Sequence, residues 1–421
     1  MFKETILSNG IRILTEEMPG ANSATLGIWV KAGSQNEQLF ENGVSHFIEH
    51  MMFKGTAKYS AKEISEILEG LGGHINAYTT KEYTCYYIKV LHEYFYQALE
   101  VLVDMFFNSL FRPEDIEREK CVICEEIRSY EDAPDEIVHD FFARALWGNQ
   151  PLGRPILGTV ETTMNLNRDV IYDYLERQYI APNIVVSACG NLIHQEIVDK
   201  IGPVFEGARK GLSVPAEALE TKPSSIVCAK PGEQVQLCLG TPGISHKDED
   251  FYNLVVLNNI LGGGLSSRLF QEIREDRGLA YSIYSYTASY FKTGYWCVHA
   301  GTSPENVTEV LDLCLKVISD VKRNNVTQAE VDRCKQQIRG ELLLSMESTT
   351  NHMSRLGKSV ILYNRVIPVE EMVESILQVQ PENIHNLARR LYRPENFALA
   401  IVGPCEEDFS LACLSSMEEI V

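Results

Sequence analysis

Gly43-Val-Ser-His-Phe-Ile-Glu-His-Met-Met-Phe-Lys-Gly55 carries two patterns at once. Val44, Phe47, Ile48, Met51 and Met52 recur at i, i+3, i+4, i+7 and i+8, the spacing of one buried helix face. His46, Glu49, His50 and Phe53 fall on a different face. Gly55 can end the helix in a left-handed conformation. Histidines four apart are neighbours on a helix, so two imidazoles can meet one metal ion. Glu49 lies beside them, placed to take a proton from a water that a metal has acidified. The order is HxxEH, the reverse of the HExxH helix. A pair of exposed helix histidines is the bland alternative in a chain with 10 His among 421 residues. The split between a packing face and a donor face weighs against it.

A catalytic metal site needs a third protein donor and an open position. The helix expected from Pro113 to Ser129 offers Glu114, Asp115, Glu117, Glu119, Glu125 and Glu126. Most of these read as a solvated acidic face. Glu119 and Glu126, seven apart, share one side of that helix. Spacing alone does not choose among them.

Outward from this stretch, the chain reads as two copies of one plan. The first half gives a strand (Ala24 to Ala32), the histidine helix, a hairpin (Asn76 to Val90), helices near Tyr94 to Asn108 and from Pro113, then the strand Ile184 to Gly190. The second gives a strand (Gln234 to Leu239), a helix (Asp250 to Leu261), an aromatic hairpin (Tyr281 to Ala300), helices Ser303 to Lys322 and Thr327 to Ser345, and the strand Phe397 to Gly403. Tyr179-Ile-Ala-Pro-Asn and Tyr392-Arg-Pro-Glu-Asn introduce the closing strands. Each copy is of ordinary domain size. The expected division is 1–206, a linker 207–223 rich in small residues, and 224–421. Aligned on the histidine helix, the second copy has Val256 and Leu257 in place of Glu49 and His50, so only one copy can bind metal this way.

Bulk properties bound the function. Hydrophobic residues make up 45% and charged residues 23%, a globular composition. The formal net charge of −20 argues against nucleic acid, whose phosphates need basic surface. Eleven cysteines, several inside apolar runs (Cys85, Cys189, Cys238, Cys297), read as buried free thiols of a reducing compartment. Cys121 and Cys124 form a lone CxxC with no partner pair. No window approaches a membrane span and no leader pattern opens the chain. The expectation is a cytoplasmic protein, or a mature organelle form.

Five phrases carry a resemblance over nearly the whole chain: HFIEHMMFKGT at 46–56, GGHINAYTTKEYTCYY at 72–87, EREKCVICEEIRSYEDAP at 117–134, PLGRPILGT at 151–159, and LGGGLSSRLFQEIREDRGLAYSIYS at 261–285. The sequence resembles the pitrilysin/insulinase family of zinc metallopeptidases, in particular the short-chain branch with mitochondrial processing peptidase (beta subunit) and its bacterial homologues. The resemblance implies an α+β fold. It implies two homologous domains, each an antiparallel sheet with packed helices, facing each other around an enclosed chamber. It implies one Zn2+ per chain held by His46, His50 and Glu126, because the family's third ligand is a Glu about 75 residues beyond the second His. Glu125 competes for that role, and Glu119 matches an acidic residue supporting the site. Glu49 takes the role of general base. Arg274 and Tyr281 match a family pair that stabilises the oxyanion from the second domain, with Arg277 as the fallback. Asn76, Ala77 and Tyr78 match a strand that pairs with bound peptide. Gly262-Gly-Gly-Leu-Ser-Ser lacks the ending of a phosphate loop and reads as a flexible loop. The implied activity is endopeptidase cleavage of short or unfolded peptides, by a homodimer without nucleic-acid or membrane partners. The rival class is a non-catalytic subunit of a larger assembly; such relatives typically lose the motif residues that this chain keeps.

Overall fold

The computed structural model describes residues 2–213 and 219–405. Residues 214–218 of the expected linker, Pro215 among them, lie outside the described residues. The fold is α+β, with two sheets and many helices. Among the described residues no helix is long and apolar enough to cross a membrane.

The first sheet contains β1 (Phe2–Ile6), β2 (Arg12–Glu17), β3 (Ser23–Val30), β4 (His74–Thr79), β5 (Thr84–Leu91) and β6 (Ile184–Gly190). Their spatial order is β1-β2-β6-β3-β5-β4. The second sheet contains β7 (Ser225–Ala229), β8 (Val235–Pro242), β9 (Ala280–Ser289), β10 (Gly294–Thr302) and β11 (Ala398–Gly403), ordered β7-β11-β8-β10-β9. Apart from β1, the two orders are the same, which is the duplication written as topology. The sheets depart from the expected antiparallel pattern at one place each: β2 pairs with β6, and β7 with β11, in parallel. Long helical excursions separate these partners in sequence, so the returning strand is free to run either way.

The compact units do not follow a single cut of the chain. Among the described residues, 2–127, 155–213 and 344–367 form one; 128–154, 219–343 and 368–405 form the other. Against the expected division 1–206 and 224–421, each half therefore lends one helix to the other half's sheet. Thr349–Tyr363 lies on β3 and β6 in the first unit, and Pro134–Trp147 lies on β8 and β11 in the second. Small residues let these helices approach. A Cβ on Gly357 would meet the Trp29 ring at 2.2 Å, and one on Gly240 would meet Phe142 at 2.7 Å. Trp29 Nε1 donates to Ser187 Oγ at 2.8 Å, and Ser187 Oγ donates to the Met353 carbonyl at 2.8 Å. Sheet and lent helix thus share one hydrogen-bonded, apolar contact.

An ionic clamp holds the same helix. Arg355 Nη2 donates to Glu16 Oε2 at 2.7 Å and His352 Nδ1 donates to it at 2.8 Å. The His352 hydrogen bond, then the Arg355 charge, outweigh burial and hold the Glu16 carboxyl at about 2, below its ordinary 4.5. The same bond raises His352. Glu16's contribution is complete above about 4.5 and lost as pH falls towards about 2. His352's is complete below the ordinary imidazole pKa and lost as pH rises through its raised value. Arg355→Ala is expected to cost about 1.5–3 kcal/mol, the worth of a charge-assisted hydrogen bond. Urea unfolding of wild type and Glu16→Gln across pH checks the rest: their difference should narrow at both the acid and the alkaline end.

Candidate metal centre

The histidine helix spans Val44–Met51, with Val44, Phe47, Ile48 and Met51 fully buried and Met52 just beyond it buried too. It starts on Gly43 at φ +97°, a conformation that side chains resist. A Cβ there would also strike the Leu157 carbonyl at 2.6 Å. Buried Glu37 caps the start, accepting from the Gly43 and Ser45 amides at 2.8 and 2.9 Å. A carboxylate suits amide groups that no helical carbonyl can reach. Gly55, at φ +111°, turns the chain away at the other end.

The donor face gathers residues from two helices. His46 and His50 have ring centroids 4.6 Å apart. Helix Pro113–Glu131 brings Glu126 to them: Oε1 lies 3.7 Å from His46 Nε2, and Oε2 lies 3.6 Å from His50 Nε2. These gaps exceed good hydrogen bonds. Donors about 2.1 Å from a shared ion at tetrahedral angles stand about 3.4 Å apart, so each imidazole lies near that spacing from one of the two Glu126 oxygens. Among the described residues, one group of His, Cys, Asp and Glu has donor atoms all within 4.8 Å of one another: His46, His50 and Glu126. Burial first, and then the neighbouring His50, push His46 down to about 3. His46 is therefore a neutral imidazole, the form that can offer a lone pair to a metal.

Glu119 lies behind His50, seven residues before Glu126 on the same helix. Its Oε1 accepts from His50 Nδ1 at 2.9 Å, leaving Nε2 directed towards Glu126. Its Oε2 meets Lys54 Nζ at 2.5 Å. Burial alone would raise the Glu119 carboxyl; the bonds from His50 and Lys54 bring it below its ordinary value. Burial would lower His50, and Glu119 with the neighbouring carboxylates raises it overall. Glu125 is exposed, while Glu126 is half-buried. Neither Lys54 nor Glu37 was anticipated from the sequence. Lys54 had a signal, standing four residues after His50 on the same run.

Glu49 is half-buried beside the imidazoles and is not part of the three-donor group. Burial pushes its carboxyl up, moderated by a hydrogen bond from Thr79 and by the His50 charge. Thr79 Oγ1 donates to Glu49 Oε2 at 2.5 Å. Thr79 ends β4, the edge strand on which Asn76, Ala77 and Tyr78 also lie. Asn76 is exposed, Ala77 buried and Tyr78 half-buried.

The second unit holds Arg274 and Tyr281. The Arg274 guanidinium stacks over Phe270 and Tyr281, 4.9 and 5.3 Å from the ring centroids. Tyr281 is 76% exposed, so its hydroxyl is open to a ligand. Arg274 lies in the π-helical segment Phe270–Glu275, a rare wider turn that is frequent at functional sites. Arg277 is already ion-paired to Glu272 at 2.8 Å, which makes it the poorer donor of the two arginines. The helix corresponding to the histidine helix, Phe251–Gly262, buries Val256 and Leu257 in the core. Cys85, Cys189, Cys238 and Cys297 are buried free thiols, as expected.

Residues 12–160 match the insulinase domain of peptidase family M16, and residues 165–338 match the domain described as peptidase M16 inactive domain. The chain is 42% identical to the Bacillus subtilis protein named uncharacterized zinc protease YmxG, over 96% of this chain and 98% of that one. It is 39% identical to a protein of Streptomyces coelicolor also named uncharacterized zinc protease, over 96% of this chain and 90% of that one. In fold it is similar to the peptidase M16 inactive domain from Pseudomonas fluorescens, with TM-score 0.89, 21% identity, and coverage of 96% and 98% of the two chains. It is also similar to a protease from Helicobacter pylori, with TM-score 0.88, 20% identity, and coverage of 96% and 99%. The chain belongs to the insulinase family, peptidase family M16.

Proposed function

We propose that the protein is a zinc-dependent endopeptidase that cleaves short or unfolded peptides, as processing peptidases do. The observation that carries this is the three-donor group of His46, His50 and Glu126, its donor atoms all within 4.8 Å of one another, with a carboxylate beside it that is not a donor. The names of the relatives in Bacillus and Streptomyces support the same reading.

His46, His50 and Glu126 would hold one Zn2+ per chain. When bound, it would supply Lewis acidity for the scissile carbonyl and lower the pKa of the attacking water. Glu49 takes the proton of that water and returns it to the leaving amine. Glu119 keeps His50 in the tautomer whose Nε2 lone pair is free, and Lys54 holds Glu119 in turn. The edge of β4 at Asn76, Ala77 and Tyr78 pairs with the extended substrate through main-chain groups, which allows many sequences. Arg274 and Tyr281 donate to the oxyanion of the tetrahedral intermediate. The working form is a cytoplasmic homodimer.

Incubating the purified protein with a peptide library, with and without chelator, tests this reading. Chelator-sensitive cleavage and about one zinc per chain support it; bound zinc without cleavage favours a non-catalytic role. A sharper expectation concerns the second unit. Arg274→Ala and Tyr281→Phe should each lower turnover by about 10²–10³-fold, the usual effect of removing an oxyanion donor. Zinc content should stay that of wild type, because neither residue is in the donor group. Unchanged turnover in both variants would remove the pair from the mechanism.

A further inference from the structure

Glu49 sits on a helix, and its carboxylate hangs from three rotatable bonds, the last of them soft. A general base works only if one oxygen is held towards the proton it will take. The contact that restrains this one comes from a different element, the end of β4. Thr79 Oγ1 lies 2.5 Å from Glu49 Oε2. Directly across the strand pair stands Thr84, with its hydroxyl 3.5 Å from that of Thr79. Thr84 donates its proton to the Ala32 carbonyl at 3.0 Å, so towards Thr79 it can only accept. The single Thr79 proton thus has two possible acceptors. The carboxylate is nearer by about an ångström and charged, and charge-assisted bonds are roughly twice as strong as neutral ones. The proton goes to Glu49.

We infer that Thr79 is a positioning residue for the base: its hydroxyl pins Glu49 Oε2 and leaves Oε1 to receive the proton. The inference rests on the assignment of Glu49 as general base. Side chains alternate along β4, so Thr79 and Tyr78 point to opposite faces of one strand. The strand proposed to align the peptide is also the strand that aligns the base. Substrate register and base orientation therefore share one rigid element, which serves the near-attack geometry that catalysis needs.

Four variants test this: Thr79→Val, Thr79→Ser, Glu49→Gln, and Thr79→Val combined with Glu49→Gln. Valine keeps the branched shape and strand preference of threonine while removing the hydroxyl. Thr79→Val should lose about 10–100-fold in kcat, the scale of an outer contact that orients an active group. KM should stay within about twofold, and zinc content and melting temperature should be those of wild type. Thr79→Ser should recover kcat to within about threefold, since the hydroxyl returns without the methyl. With Glu49→Gln already in place, adding Thr79→Val should lower the residual rate no further, because a residue acting through a carboxylate has nothing left to act on. The inference is overturned by wild-type kcat in Thr79→Val, by equal impairment of the serine and valine variants, by zinc loss, or by an equal cost of the valine in both backgrounds. Wild-type kcat in Glu49→Gln alone would instead overturn the assignment of the base, so the two failures are told apart.

Discussion

Glu49→Gln is expected to keep near-stoichiometric zinc and lose about 10²–10⁴-fold in turnover, the cost of removing a general base. Glutamine preserves the length of the side chain and an oxygen that can accept from Thr79. It has no oxygen able to take a proton at neutral pH. None of the three donors is touched, since Glu49 stands outside the group formed by His46, His50 and Glu126. Burial holds the Glu49 carboxyl above its ordinary range, which moves it towards the pKa at which a base accepts and then releases a proton near neutrality. Peptide cleavage and metal content measured on one preparation separate the outcomes. Turnover like that of wild type would remove Glu49 from the mechanism. Loss of zinc together with turnover would make it a ligand.

Much of the fold was legible because periodicity is a local property. The histidine helix, the two hairpins and the single closing strands after Pro-Asn and Pro-Glu-Asn all follow from patterns within about a dozen residues. The exchange of helices was not legible. Thr349–Tyr363 was not among the expected helices, and its destination depends on Gly357 meeting Trp29, more than 300 residues away. No local pattern records which sheet a helix will cover. The parallel pairs β2/β6 and β7/β11 were missed for the same reason, since strand sense is set by the path of the intervening chain. One consequence is practical. A fragment of residues 1–206 lacks the helix that covers Trp29 and Ser187, so it leaves an apolar sheet face open.

The site divides along the same line. His46, Glu49 and His50 belong to one helix, so their relation is written in their spacing. Glu126 had to be brought from a second helix, and the acidic run around it offered several equal candidates. The structure separates them by burial and distance: Glu119 is 2% exposed and bound to His50, whereas Glu125 is exposed. Thr79 and Glu37 were invisible because threonine at the end of a strand, and glutamate before a helix, each have common explanations that need no site.

The ligand set makes the other large prediction. His46→Ala, His50→Ala and Glu126→Gln should each strip most of the zinc at micromolar protein and abolish detectable cleavage, because each removes one of three donors from the metal. His46→Ala also leaves a void beside a buried helix face, so its folding should be checked by circular dichroism before its metal content is read. His50→Ala has a second effect: it leaves the buried Glu119 with Lys54 as its remaining named partner. Glu119→Gln keeps all three donors and changes only the partner of His50 Nδ1, so a loss of about 10–100-fold in zinc affinity is expected. Glu125→Gln is the control. Neighbours on a helix point about 100° apart, so if Glu126 faces the imidazoles at 3.6 and 3.7 Å, Glu125 faces away from them. It should bind zinc and cleave peptide as wild type does. Competition with a chromophoric chelator measures all five affinities on one scale. Zinc lost by Glu125→Gln and kept by Glu126→Gln would move the third ligand by one residue and reverse the inward face of Pro113–Glu131. Equal losses in Glu119→Gln and Glu126→Gln would instead make Glu119 a direct donor, against its bond to the far side of the His50 ring.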